Sequence, residues 1–171
     1  MKVFVQGLWH CGCVISACLA SLKYEVIAYD DDKKIINKLK NNKAPLYEPG
    51  LNSLISKTRK EKKLSFSNNL NKLNTADIIW FTYDTPVNIN DESDTKIVLN
   101  KIKDTLRKLK AEKFIIISSQ LPVGTVDSLE NYSKNFLKKK FHFFYCPENL
   151  RLGNSLSSFL NANRMVVGYR D

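Results

Sequence analysis

Short unbroken apolar runs recur along the chain, separated by stretches in which apolar residues fall three or four positions apart. The runs predict strands at 2–5, 25–29, 78–81, 114–118 and 141–146, with weaker ones at 64–67 and 165–168. A run such as "FIII" at 114–117 shows no polar alternation, which suits a strand buried on both faces of a parallel sheet. Between the runs the period is helical. Val14, Cys18 and Leu22 recur at four-residue steps, as do Val98, Ile102 and Leu106. Leu129, Ser133, Phe136 and Leu137 form a third stripe. Strand–helix alternation of this kind predicts an α/β, doubly wound, mostly parallel sheet with helices on both faces. No internal repeat or linker divides the sequence, and 171 residues suffice for one domain with a sizeable core.

Composition narrows the function classes. With 43% hydrophobic and 26% charged residues the chain reads as an ordinary globular protein. It holds no continuous apolar stretch of membrane-spanning length. Gln6, Gly7 and His10 interrupt the N-terminal apolar stretch, so a signal peptide is not expected and a cytoplasmic location is. The net charge of +10 is concentrated in lysine-rich runs at 57–63 and 138–140. Neither run is interleaved with aromatics and no nucleic-acid-binding motif is present, so both are read as solvated surface rather than a nucleic-acid site. A positive field still favours an anionic small substrate. The four cysteines, Cys11, Cys13, Cys18 and Cys146, lack metal-ligand spacing, and His10 and His142 complete no set, so no metal is expected.

The chemistry-bearing clusters all follow predicted strands. "GLWHCG" at 7–12 follows the first and "DDD" at 30–32 the second. Residues 82–86, 119–124 and 147–153 follow the strands at 78–81, 114–118 and 141–146. In a parallel sheet these C-terminal strand ends share one edge, where open α/β sheets bind ligands. Gly7 suits the tight turn out of the first strand, and Gly12 suits close packing of the next helix on the sheet. The free N–H groups of that helix start favour a phosphate. Asp30, 18 residues after Gly12, lies near the spacing at which a carboxylate accepts hydrogen bonds from an adenosine ribose. Its charge would repel a 2′-phosphate, so NAD is expected over NADP. Trp9, however, stands where the fingerprint G-x-G-x-x-G keeps a small residue.

Four later segments carry a resemblance. "APLYEPGL" (44–51), "DTP" (84–86), "SSQLPVGT" (118–125) and "CPENLRLG" (146–153) occur in an order that resembles the N-terminal domain of the UDP-glucose/GDP-mannose dehydrogenase family. That family typically shows G-L-G-Y-V-G, Y-E-P-G-L, T-P, S-T-V-P-P-G-T and S-P-E-F-L-R-E-G in this order. The resemblance spans essentially the whole chain. It implies a Rossmann-like NAD domain from an enzyme that oxidises the C6 hydroxyl of a nucleotide sugar, a UDP-sugar first of all, toward a uronic acid in two NAD-dependent steps. It further implies a role in polysaccharide biosynthesis and a homo-oligomeric whole protein. By matching positions, Gly7, Cys11, Gly12, Asp30 and Thr85 would line the NAD site, with Trp9, His10 and Gln120 alongside. Glu148 and Arg151 would face the sugar, with Glu148 and Gln120 the residues placed to act on a catalytic water.

The departures from the family pattern are as informative. Trp9 replaces the middle glycine and His10 the tyrosine, and Ile35 stands where a basic residue is frequent, with Lys34 adjacent. Gln120 replaces a threonine, Asn149 a phenylalanine and Leu152 the second glutamate, while Asp84 adds a carboxylate beside the expected cofactor groove. A leucine cannot relay a proton and a glutamine holds water differently from a threonine, so the family's roles do not transfer unchanged. The family's cysteine nucleophile, its active-site lysine and most nucleotide-sugar contacts belong to a central helix and C-terminal domain that this sequence does not include. The chain is therefore expected to bind rather than catalyse by itself, either as a piece of a longer enzyme or as a non-catalytic dinucleotide- or nucleotide-binding module that retains the fold but not the chemistry.

Overall fold

The apolar runs become the strands of one seven-stranded sheet, ordered β3-β2-β1-β4-β5-β6-β7. The structure, a computed structural model, describes residues 1–87, 89 and 93–170. In chain order the strands are β1 (Lys2–Gln6), β2 (Glu25–Tyr29), β3 (Leu64–Ser67), β4 (Ile78–Phe81), β5 (Phe114–Ile117), β6 (His142–Tyr145) and β7 (Gly168–Tyr169). The helices are α1 (His10–Ser21), α2 (Lys33–Lys40), α3 (Leu51–Lys60), α4 (Thr95–Lys108), α5 (Thr125–Asn135) and α6 (Ser155–Leu160). Strands β1 to β6 pair in parallel and β7 runs antiparallel to β6.

The pleat sorts the core into two layers. Val3 and Val5 of β1 and Trp80 of β4 pack into one with α1, α2 and α3, while Phe4, Ile79 and Phe81 face the other with α4 and α5. This is the doubly wound arrangement that the continuous apolar runs predict. Helix α1 is buried almost all round, at nine of its 12 residues, because α3 and α6 cover the side that the sheet does not. On the other face Val98, Ile102 and Leu106 form the predicted stripe of α4 and are all buried.

Three expectations need correcting. Leu22 lies one residue beyond α1 and is 54% exposed, because Lys23 turns the chain into the left-handed region at φ 73°. Phe136 likewise caps the end of α5, exposed, and stacks on Tyr132 instead of entering the core. The weak strand expected at 165–168 is displaced to Gly168–Tyr169, a short antiparallel edge, and Met165, Val166 and Val167 are exposed. Elsewhere boundaries shift by a residue: β1 extends to Gln6, β5 ends at Ile117, and Phe141 and Cys146 flank β6.

Strand order reverses beside β1, with β2 on one side and β4 on the other. The crevice at the C-terminal ends of β1 and β4 is therefore the topological switch point.

Candidate functional site

The turn from β1 into α1 is built on contacts that only glycine permits. Gly7 has φ +95°, and a Cβ there would lie 2.7 Å from the backbone nitrogen of Tyr83. A Cβ on Gly12 would lie 1.9 Å from the Gly7 carbonyl oxygen and 2.6 Å from Thr82 Oγ1. The Thr82 hydroxyl contacts the carbonyl oxygens of both Gln6 and Gly7, at 3.0 and 2.9 Å, so the turn is tied to the segment that follows β4. Trp9 is the N-cap of α1. Its φ of −84° lies outside the left-handed region that favours glycine. The residue is 44% exposed, and among the described residues no side chain caps the helix start. The first intrahelical bond runs from Cys13 N–H to the Trp9 carbonyl, leaving the N–H groups of the first turn without intrahelical partners.

Asp30 follows β2 directly and braces this turn. Its carboxylate accepts from Leu8 N–H at 2.8 Å and from Asp32 N–H at 2.9 Å, and the residue is buried. Burial raises its carboxyl above the ordinary value, against the pull of those two N–H donors. Asp31 turns outward to Lys101 at 2.7 Å, and that ammonium lies 4.8 Å from the centre of the Tyr83 ring. Desolvation would raise Asp31, but the hydrogen bond and charge of Lys101 outweigh it and its carboxyl lies below the ordinary value.

Next to the turn, a cavity of about 270 Å³ opens over the ends of β4, β5 and β6. Cys11, the 82–85 segment, the 118–120 segment and Glu148 line it. Its walls are tied together: Thr85 Oγ1 donates to the Gln120 carbonyl at 2.7 Å. Trp80 Nε1 donates to Ser118 Oγ at 2.9 Å, and that hydroxyl donates to the Cys146 carbonyl at 2.7 Å. Glu148 is half-buried and accepts from Leu150 N–H. Burial raises its carboxyl, and the charge of Asp84 adds to the effect. Desolvation raises Asp84 as well, partly offset by His10. Cys11 and Cys13 are pushed far up by burial and then by neighbouring carboxylates, and Cys18 is pushed up to about 12 by burial alone. These thiols stay protonated and are unsuited to nucleophilic work.

The structure thus brings Cys11, Thr85, Gln120 and Glu148 to one cavity and sets Gly7, Gly12 and Asp30 in the turn beside it. Arg151 is not among them. It is exposed and lines a separate surface depression with Asn149, Leu150 and Asn154. Leu152 is 65% exposed.

His10 leads to a group that sequence reasoning missed. Its Nε2 lies 2.9 Å from Glu48 Oε2, with the Glu48 side chain only 1% exposed. Glu48 also accepts from Gly153 N–H at 2.9 Å, Ser155 N–H at 2.9 Å and Ser155 Oγ at 3.1 Å. Burial would raise this carboxyl, but the hydrogen bonds from His10, Gly153 and Ser155 hold it below the ordinary value of 4.5. Glu48 therefore latches the start of α1 to the segment that carries Glu148. The available signal was the acidic residue inside "LYEPGL", a lone charge in an otherwise apolar turn.

Among the described residues no group of three or more His, Cys, Asp or Glu side chains is placed to hold a metal. Nor is any helix among them long and apolar enough to cross a membrane.

Residues 1–171 match a family described as UDP-glucose/GDP-mannose dehydrogenase family, NAD binding domain. Two Bacillus subtilis (strain 168) proteins are similar. UDP-glucose 6-dehydrogenase TuaD is 31% identical over 98% of this chain and 37% of its own length. The putative UDP-glucose 6-dehydrogenase YtcA is 33% identical over 100% of this chain and 40% of its length. The chain thus spans about two fifths of these relatives. Among solved structures, a ternary complex of GDP-mannose dehydrogenase from Pseudomonas aeruginosa superposes with TM-score 0.90 at 24% identity, over 100% of this chain and 41% of that one. A UDP-glucose dehydrogenase from the archaeon Pyrobaculum islandicum gives 0.88 at 24%, over 99% and 41%. At these identities the structural likeness concerns the fold.

Proposed function

The chain belongs to the UDP-glucose/GDP-mannose dehydrogenase family, as its NAD binding domain, and from that premise we propose which residues hold the cofactor and what the whole protein does with it. The pyrophosphate sits on the open N–H groups at the start of α1, between Gly7 and Gly12, with Trp9, His10 and Cys11 around it. Asp30 takes the adenosine ribose with the lone pairs that Leu8 and Asp32 leave free. The nicotinamide half lies over the cavity, against Thr85 and Gln120. The observation that carries this reading is the turn itself: two glycines with no room for a Cβ, beside a helix start that no side chain among the described residues caps.

In the whole protein, bound NAD supplies the oxidant for the C6 hydroxyl of a nucleotide sugar, a UDP-sugar by similarity to the relatives. Glu148, whose carboxyl is raised by burial, holds or deprotonates water at the reacting carbon. Arg151 contacts the sugar from outside the cavity. The same reading puts the whole protein in the cytoplasm as a homo-oligomer that supplies polysaccharide biosynthesis. Exposed Leu152 and Gln120, at positions where the family carries groups suited to water chemistry, favour a second reading in which the domain binds the dinucleotide without this oxidation.

Calorimetric titration of the chain with NAD+ tests the first part. Saturable binding below millimolar concentration is expected, and none at millimolar cofactor in a folded sample would count against it. UDP-glucose-dependent reduction of NAD+ by the longer protein then separates the two readings.

A further inference from the structure

The net charge of the chain is +10, yet the cavity over β4, β5 and β6 is lined by two carboxylates and by no Lys or Arg among the described residues. Asp84 enters it from the end of β4 and Glu148 from the end of β6, with the 118–120 segment between them. Both carboxyls are raised by desolvation, so each would gain from a nearby positive charge.

A second observation points to a ligand in the same place. Ser119 lines this cavity and is 3% exposed, and its hydroxyl has no hydrogen-bond partner among the described residues. A buried hydroxyl left unpaired is costly, and a bound amide would satisfy it.

These features together describe a pocket for a flat cation that also carries a hydrogen-bonding amide. The oxidised nicotinamide ring has both properties, whereas the reduced ring keeps the amide and loses the charge. With the pyrophosphate on α1 and the adenosine over β2, the remaining half of the dinucleotide must lie on the β4–β6 side.

We propose that Asp84, with Glu148 across the cavity, makes this site discriminate between redox states, so that the chain binds NAD+ more tightly than NADH. Ser119 takes the carboxamide in both forms. The inference rests on the NAD reading above and adds to it a residue that sets the preferred form. Such a bias favours loading of the oxidant and release of the reduced product.

The test is a set of titrations with NAD+, NADH and ADP-ribose, which lacks the ring, on the wild-type chain and on Asp84→Asn. Asn is close in size to Asp and this side chain is exposed, so the variant is expected to fold. The wild type is expected to favour NAD+, and Asp84→Asn to shrink the preference about threefold to tenfold by weakening NAD+ alone. ADP-ribose should bind both proteins equally. An unchanged NAD+ to NADH ratio in the variant overturns the proposal while leaving the cofactor reading intact, and so does an equal loss for ADP-ribose. If neither NAD+ nor ADP-ribose binds the wild type, the cofactor reading itself fails and this proposal falls with it.

Discussion

Gly12 and Trp9 sit three residues apart in one turn and answer to opposite constraints. Gly12 has the Gly7 carbonyl 1.9 Å from where a Cβ would go, and backbone cannot move aside cheaply. Trp9 has a negative φ, outside the left-handed region, and the residue is 44% exposed. The tryptophan that conflicts with the fingerprint in the sequence is thus sterically harmless to the turn. That was not legible from residue types, because the middle glycine of the fingerprint serves the ligand's approach and not the turn's own geometry. Trp9→Gly is therefore expected to leave NAD affinity unchanged or slightly improved, measured by calorimetry. A marked loss would show that the indole stacks on the ligand. Asp30 was legible by its spacing, but its brace on Leu8 N–H was not. An asparagine there loses the charge and presents an amide that can accept with only one atom. Asp30→Asn is expected to lower stability by about 1–2 kcal/mol and NAD affinity about tenfold. Chemical denaturation beside titration reads both, and unchanged affinity in a folded variant would refute the ribose role.

At the scale of elements, legibility followed burial. Strands β1, β2 and β4 are evident because both of their faces are largely covered, which writes a continuous apolar run into the sequence. The equally continuous run of β5 overstates its burial: Phe114 is 48% exposed and stacks on His142. Helices α2, α3 and α6 carry no long apolar stripe: α2 buries only Ile36 and Leu39, α3 only Leu51, Ile55 and Thr58, and α6 only Ser155. Edge strand β7 was misplaced because its neighbouring apolar residues stay exposed. The Glu48 latch was invisible for a different reason. Its partners lie 38 residues before it and 105 to 107 after it, so no local pattern records it. Removing one member of a buried, hydrogen-bonded charge cluster costs more than its exposed equivalent. Glu48→Gln is expected to destabilise the chain by about 2–4 kcal/mol near neutral pH. The sign of its pH dependence follows from the lowered carboxyl. A folded value below the ordinary 4.5 stabilises the fold above 4.5, and that stability is lost as pH falls through the folded value. The gap between wild type and Glu48→Gln in urea unfolding should therefore narrow in acid. A gap independent of pH would mean that Glu48 acts by shape and not by charge.

For the molecule as a whole, five clusters scattered through the sequence meet at one edge of one sheet because β1 to β6 are parallel. The convergence was readable in advance from topology alone. What topology could not give was the division of labour at that edge. The turn after β1 with Asp30 forms one unit, the cavity over β4, β5 and β6 a second, and the Glu48 latch joins the first to the segment that carries Glu148. The basic surface has partly structural uses too: Lys139 of the 138–140 run donates to the carbonyl oxygens of Arg107 and Leu109 at the end of α4.

The central claim is that the dinucleotide lies across this edge with its pyrophosphate on the start of α1. An amide-resolved NMR titration with NAD+ tests it most directly. The expected result is saturable shifts centred on the amides of residues 7–12, with further shifts at residues 30, 85 and 120. Saturable shifts confined to other surfaces, or none at millimolar NAD+ in a folded sample, would contradict it.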